Sequence, residues 1–141
     1  MVPKFNLLKW GPSWEIGLPE IDLDHRLLIS EGNGLFKAVT DGLPKSKIMS
    51  IIGRMATECK EHFRREEIIL REAQFKGAGE HAAEHRRIER ELDEAVGAME
   101  APDISAGEWN AFAIFFQSTL INHFLRWDLK YKSHLLWKRG Q

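Results

Sequence analysis

Residues 62–85 read HFRREEIILREAQFKGAGEHAAEH, and two spacings inside this stretch decide the fold. His62 and Glu66 stand four apart, as do His81 and His85, and residues four apart on an α-helix share one face about a turn from each other. Between the pairs, Lys76-Gly77-Ala78-Gly79 is a turn signal. Helices joined by so short a turn run antiparallel, so a pair late in the first and a pair early in the second arrive at one level.

Outward from this stretch, the same residues lie on apolar seams. Ile48, Ile52, Met55, Cys59, His62, Glu66 and Ile69 follow one another in steps of four and three, and His81, His85, Ile88, Leu92, Ala95 and Met99 repeat the pattern. An earlier segment offers Ile21, His25, Leu28, Gly32, Leu35 and Val39, and a later one Trp109, Phe112, Phe116, Thr119 and His123. Core-facing spacing in four segments predicts an all-α, antiparallel up-down-up-down four-helix bundle. The first helix is expected from Pro19 or Asp22 to Asp41, ending at Gly42-Leu43-Pro44. The second runs from Ser46 to Phe75, the third from Glu80 to Glu100, and the fourth opens at a capping box of Ser105 and Glu108. Residues 1–17, with Trp10, Gly11, Pro12, Trp14 and Gly17, read as an extended arm packed over the bundle.

With the bundle in place, five of the six histidines and two acids fall into one buried pocket. Each histidine alone is explained by a hydrogen-bonded core position. Four helices placing such groups inward together is not, because a buried carboxylate costs several kcal/mol unless it is paired or bound to metal. The reading is a two-metal centre. His123 and Asp128 complicate it: five residues apart, they point about 140° away from each other on a regular helix. A single π-type turn between Leu120 and Asp128 would realign them and let Asp128, Tyr131 and Leu135 continue the seam.

Composition bounds the rest. A chain of 141 residues fits one domain, taken as 1–141 with the bundle and its C-terminal extension over 18–137. Twenty Lys and Arg balance 21 Asp and Glu without a basic stripe, which argues against nucleic acid. The longest apolar run, Ala111 to Phe116, is too short for a membrane span, and MVPKFNLLKW lacks the apolar core of a secretory signal. A single cysteine agrees with a reducing compartment, and the expected location is cytoplasmic. Oligomeric state stays open, a monomer included.

The segments Ile21-Asp22-Leu23-Asp24-His25, His62-Phe63-Arg64-Arg65-Glu66-Glu67, His81-Ala82-Ala83-Glu84-His85 and His123-Phe124-Leu125-Arg126-Trp127-Asp128 together resemble the hemerythrin family, specifically its single-domain bacterial members. The resemblance covers most of the chain. It implies two Fe ions with a bridging oxo or hydroxo group, His81, His85 and His123 on one, His25 and His62 on the other, and Glu66 and Asp128 bridging. One position is then open, and reversible dioxygen binding is the implied activity, for storage, delivery or sensing, in an oxygen-binding protein rather than an enzyme. The alternative keeps the centre and uses it to reduce peroxide or nitric oxide, or to report iron and oxygen to a separate partner. Thr119, Cys59 and Leu28 are candidates to line the pocket. The sequence departs from the family pattern at Asp24, where glutamine is common, at Phe75-Lys76 in place of tyrosine-proline, and at Thr119, where tryptophan is frequent. Threonine there makes a wider, wetter pocket unless Trp109, Trp127 or another aromatic repacks. Gly32 reads as a close helix contact and His134 as a surface or tail residue.

Two rival patterns fit less of the chain. His81-Ala82-Ala83-Glu84-His85 matches the H-x-x-E-H element of inverted zinc peptidases, but leaves His25, His62, Glu66, His123 and Asp128 without a task. Ferritin-like di-iron oxidases use Glu-x-x-His pairs, and no histidine here has glutamate three residues before it.

Overall fold

The computed structural model describes residues 11–140. Among them are α1 (Pro19–Thr40), α2 (Lys45–Glu72), α3 (Ala78–Ala98), α4 (Ala106–His123) and α5 (Leu129–Arg139), with no strand. A π-type turn, Phe124–Asp128, joins α4 to α5. The first four helices pack in a closed ring in which α3 and α4 approach least closely. This is the antiparallel four-helix bundle expected from the seams.

Local chemistry sets most of the helix ends. Pro19 opens α1, where a missing N–H costs nothing. Gly42 at φ 68° closes α1 in a left-handed cap, with the Leu43 N–H reaching back to the Ala38 carbonyl at 3.1 Å. The Ser105 and Glu108 side chains cap each other's backbone at the start of α4, as the sequence indicates. α2 stops at Glu72 rather than Phe75. Gln74 takes the left-handed conformation at φ 57° and the Phe75 N–H bonds the Leu70 carbonyl at 3.0 Å. That cap is made by a glutamine, so no glycine marks it.

Space is tight at Gly77. A Cβ there would lie 2.8 Å from the Phe75 ring, which folds over the turn towards Tyr131 and His134. Gly32 packs against Phe116 with 3.7 Å of room for a Cβ, the close helix contact expected. His134 is not a free tail residue. Half-buried, its Nε2 lies 2.7 Å from the Ala73 carbonyl and so ties α5 to the end of α2; the sequence offers no spacing that shows a bond to a helix end.

Of the arm read over 1–17, residues 1–10, Trp10 among them, lie outside the described residues. Pro12–Trp14 form a short 3-10 turn, and Ile16 and Leu18 are buried. Asp22 secures this segment by accepting from the Ile16 and Gly17 N–H groups at 2.8 and 3.0 Å.

The core divides into two apolar clusters. The larger contains Leu28, Cys59, Phe63, Ile88, Phe116, Leu120 and Phe124, and the smaller contains Ile16, Leu18, Ile21, Leu70, Tyr131 and Leu135. Since His25, His62, Glu66, His81, His85, His123 and Asp128 follow or precede members of both clusters on the same seams, apolar side chains flank the polar residues along the bundle.

Candidate metal centre

All seven side chains singled out in the sequence are buried, none more than 3% exposed. α1 carries His25, α2 carries His62 and Glu66, and α3 carries His81 and His85. His123 ends α4, and the π turn brings Asp128 onto its face, with Tyr131 and Leu135 buried beyond it. The seam slips by one residue where the sequence requires it.

The donor atoms form two sets that share both carboxylates. One set is Glu66, His81, His85, His123 and Asp128, and the other is His25, His62, Glu66 and Asp128. Glu66 turns Oε1 towards His81 at 2.6 Å and His85 at 3.3 Å, and Oε2 towards His62 at 3.0 Å and His25 at 3.5 Å. Asp128 turns Oδ1 towards His81 and His123, both at 2.9 Å, and Oδ2 towards His25 at 3.0 Å. Each carboxylate therefore faces both sets with different oxygens.

Metal coordination fits these distances. Two donors each ~2.1 Å from one ion lie ~3.0 Å apart when adjacent on an octahedron and ~4.2 Å apart when opposite. In the five-donor set His85 and His123 Nε2 are 3.0 Å apart, while His123 Nε2 and Glu66 Oε1 are 4.0 Å apart. Hydrogen bonding accounts poorly for them. His62 Nε2, Glu66 Oε2 and both Asp128 oxygens are buried without a hydrogen-bond partner even though ring nitrogens stand 2.9–3.0 Å away. Such atoms point past one another, towards common centres. Imidazole with carboxylate is the donor chemistry of iron, zinc and related ions.

The buried charges at the site offset one another. Burial opposes protonation of His25 and His81, but the Asp128 and Glu66 carboxylates outweigh it and hold both imidazoles up at about 9. Glu66 and Asp128 are held below the ordinary carboxylate range despite burial, Glu66 chiefly by His62 and then by His25 and His81, Asp128 chiefly by His123 and then by His25. Protons substitute for metal charge, so loading a metal releases them.

A family model for the hemerythrin HHE cation-binding domain matches residues 17–135. The chain belongs to the hemerythrin family. It is 25% identical over 126 residues to the hemerythrin of Phascolopsis gouldii, covering 89% of this chain and 91% of that protein. Hemerythrin subunits 2 and 1 of Golfingia vulgaris are 24% and 23% identical over the same coverage. The cluster is accordingly a candidate non-haem di-iron site of hemerythrin type.

The candidate pocket residues divide. Thr119 and Ile88 lie between two spaces. A polar cleft of about 250 Å³ at the α3–α4 seam is lined by Arg87, Asn122, His123, Arg126 and Trp127. A small apolar space of about 10 Å³ is lined by Cys59, Leu92, Phe115, Phe116 and Leu120, too small and too apolar for a stable water. Phe115 and Phe116 fill the room beside Thr119, and Trp127 lines the outer cleft. Leu28 is packed in the core and lines neither space. Burial pushes the Cys59 thiol up to about 12, which leaves it an inert core group.

Sequence reasoning missed the groups behind the histidines. His85 Nδ1 faces Glu67 Oε2 at 2.8 Å, and Glu67 is paired with Arg86, which also bridges to Glu89 at 3.1 Å. His62 Nδ1 faces Asp24 Oδ2 at 3.1 Å. The His25 ring stacks on Phe124 at 4.1 Å and His85 on Phe63 at 3.9 Å, which fixes ring planes as well as positions. The available signal was weak: Glu67 and Asp24 adjoin Glu66 and His25 in sequence, as many surface acids also do.

Proposed function

We propose that this chain binds two irons and takes up dioxygen reversibly. In this assignment His81, His85 and His123 hold one iron, His25 and His62 the other, and Glu66, Asp128 and an oxo or hydroxo group bridge them. The observation that carries it is the asymmetry of the donor sets, five against four with both carboxylates shared. Adding the bridging oxygen gives six donors on one side and five on the other, and one open position. Bound there, an iron pair would supply the electron exchange that dioxygen uptake and release require. The chain's own residues keep that exchange reversible: Leu120, Phe116 and Cys59 exclude water, and the Cys59 thiol stays protonated and offers no ready electron donor. The same reading takes the chain as one domain working in the cytoplasm without nucleic acid; no helix among the described residues is long and apolar enough to cross a membrane.

The test is a visible spectrum of anaerobically reconstituted protein before air, in air and after its removal. A new band that appears and reverses, with about two irons per chain, is expected. Irreversible bleaching with turnover of peroxide or nitric oxide would move the reading to enzyme chemistry, and one zinc per chain would overturn it.

A further inference from the structure

In each donor set one imidazole is backed by a carboxylate, His85 by Glu67 in the five-donor set and His62 by Asp24 in the four-donor set. His62 Nε2 faces Glu66 and the centre of the four-donor set, so Nδ1 carries the proton and donates it to Asp24 Oδ2 at 3.1 Å. The Asp24 carboxylate is clamped from the other side by Arg65, whose Nε and Nη2 donate at 2.9 and 2.8 Å. This two-point contact fixes the plane of the carboxylate. The chain Arg65–Asp24–His62 links α1 to α2 and runs from the surface to the site. The Asp24 carboxylate thus takes three donors, His62 Nδ1 and Arg65 Nε on Oδ2 and Arg65 Nη2 on Oδ1. Within the five-donor set, His123 has its Nδ1 buried with no hydrogen-bond partner, while His85 Nδ1 faces Glu67.

A carboxylate accepting an imidazole's outer proton does two separable things. It holds the ring in place, and it gives the ring more electron density to donate through Nε2. Holding alone needs no charge, whereas here a full negative charge sits on the four-donor set, with a cation beside it that offsets part of the effect.

We propose that Asp24 is a charge-tuning positioning residue that, through His62, biases the metal of the His25/His62 set towards its oxidised state, and that Arg65 limits that bias. The proposal rests on the di-iron reading above. Arg65 thereby becomes part of the site's redox setting although it touches no ligand.

The experiment is a redox titration of iron-loaded protein under argon, with iron content measured first. No dioxygen enters, so failure of oxygen binding and failure of this proposal are told apart. In Asp24→Asn, which keeps shape and loses charge, the oxidised-to-reduced ratio at fixed potential should fall about tenfold, a rise of ~59 mV in a one-electron midpoint. Arg65→Gln should move the midpoint the opposite way, because it leaves the carboxylate and removes its counter-charge. A purely structural role would loosen His62 in both variants and shift both alike, which overturns the proposal, as does an unshifted midpoint in Asp24→Asn with both irons retained. Should Asp24→Asn lose its iron, Arg65→Gln decides alone: a lower midpoint supports the proposal and a higher or unchanged one overturns it. In cobalt-loaded protein the exchangeable Nδ1 proton of His62 should move and exchange faster in Asp24→Asn; an unmoved proton signal counts against the relay.

Discussion

Deleting Leu125 should be tolerated where deleting Lys130, five residues on, should not. The π turn over Phe124–Asp128 makes one residue surplus to a regular helix. Removing the exposed Leu125 leaves Asp128 four residues beyond His123, with Tyr131 and Leu135 at seven and eleven. At about 100° per residue all three stay on the His123 face. Removing Lys130 keeps the turn but rotates everything after it by about 100°. Tyr131 and Leu135, now almost wholly buried, would leave the core. Exposing each such side chain costs roughly 1.5–3 kcal/mol, so Lys130 deletion should cost about 3–6 kcal/mol. That is a large part of the 5–15 kcal/mol typical of a domain and corresponds to a melting temperature lower by roughly 10–20 °C. Thermal melts of the metal-free proteins, followed by circular dichroism, read the difference directly, and iron content is measured separately. If Leu125 deletion destabilises as much as Lys130 deletion, the π turn is not what keeps the seam in register.

Three further outcomes follow from the same geometry. Glu66→Ala removes the carboxylate that faces both donor sets, so bound iron should fall from two per chain to one or none and the metal-dependent gain in melting temperature should shrink with it; two retained irons with unchanged melting would remove Glu66 as a bridge. Glu31, raised to about 7 by burial and by the neighbouring Glu58, binds its proton more tightly folded than unfolded, so its contribution is complete below about 4.5 and is lost as pH rises to about 7. Glu31→Gln should therefore be more stable than the parent at pH 8, by about 1 kcal/mol after solvent screening, and should show no such loss between pH 4.5 and 7 in urea melts; a parallel pH profile contradicts this. Thr119→Phe, which fills the boundary between the polar cleft and the apolar space, should slow oxidation of the reduced iron in air by about tenfold, at a desolvation difference near 1.4 kcal/mol; an unchanged rate would place the route for water elsewhere.

The convergence of seven side chains was legible because every helix puts a polar residue on an apolar seam, and α2 and α3 each add a partner four residues away. Even the irregular turn was legible, since the pair His123 and Asp128 contradicts a regular helix. Other features left no such contradiction. Gln74 caps α2 in a conformation that glycine usually takes, so α2 was read a turn too long. His134 bonds a carbonyl 61 residues away, a contact no periodicity encodes. Asp24 and Glu67 lie at the edges of their helices, where acids are ordinarily solvated, and only the closed bundle shows an imidazole behind each.

The inequality of the two donor sets traces back to α1. α2 and α3 each give two donors, and α4 with the π turn gives two more, but α1 gives only His25. The positions that would supply its second donor are otherwise committed. Asp22, three residues before His25, spends both oxygens on the Ile16 and Gly17 N–H groups, and Leu28, three residues after, is packed in the core. An odd number of donors cannot be shared equally between two octahedral ions, so the shortfall falls on the side that α1 serves. In the proposed assignment that is the side with the open position, and also the side where Asp24 and Arg65 place their charges on His62. In the proposed assignment, the carboxylate that anchors the N-terminal segment is thus one that α1 does not offer to the metal.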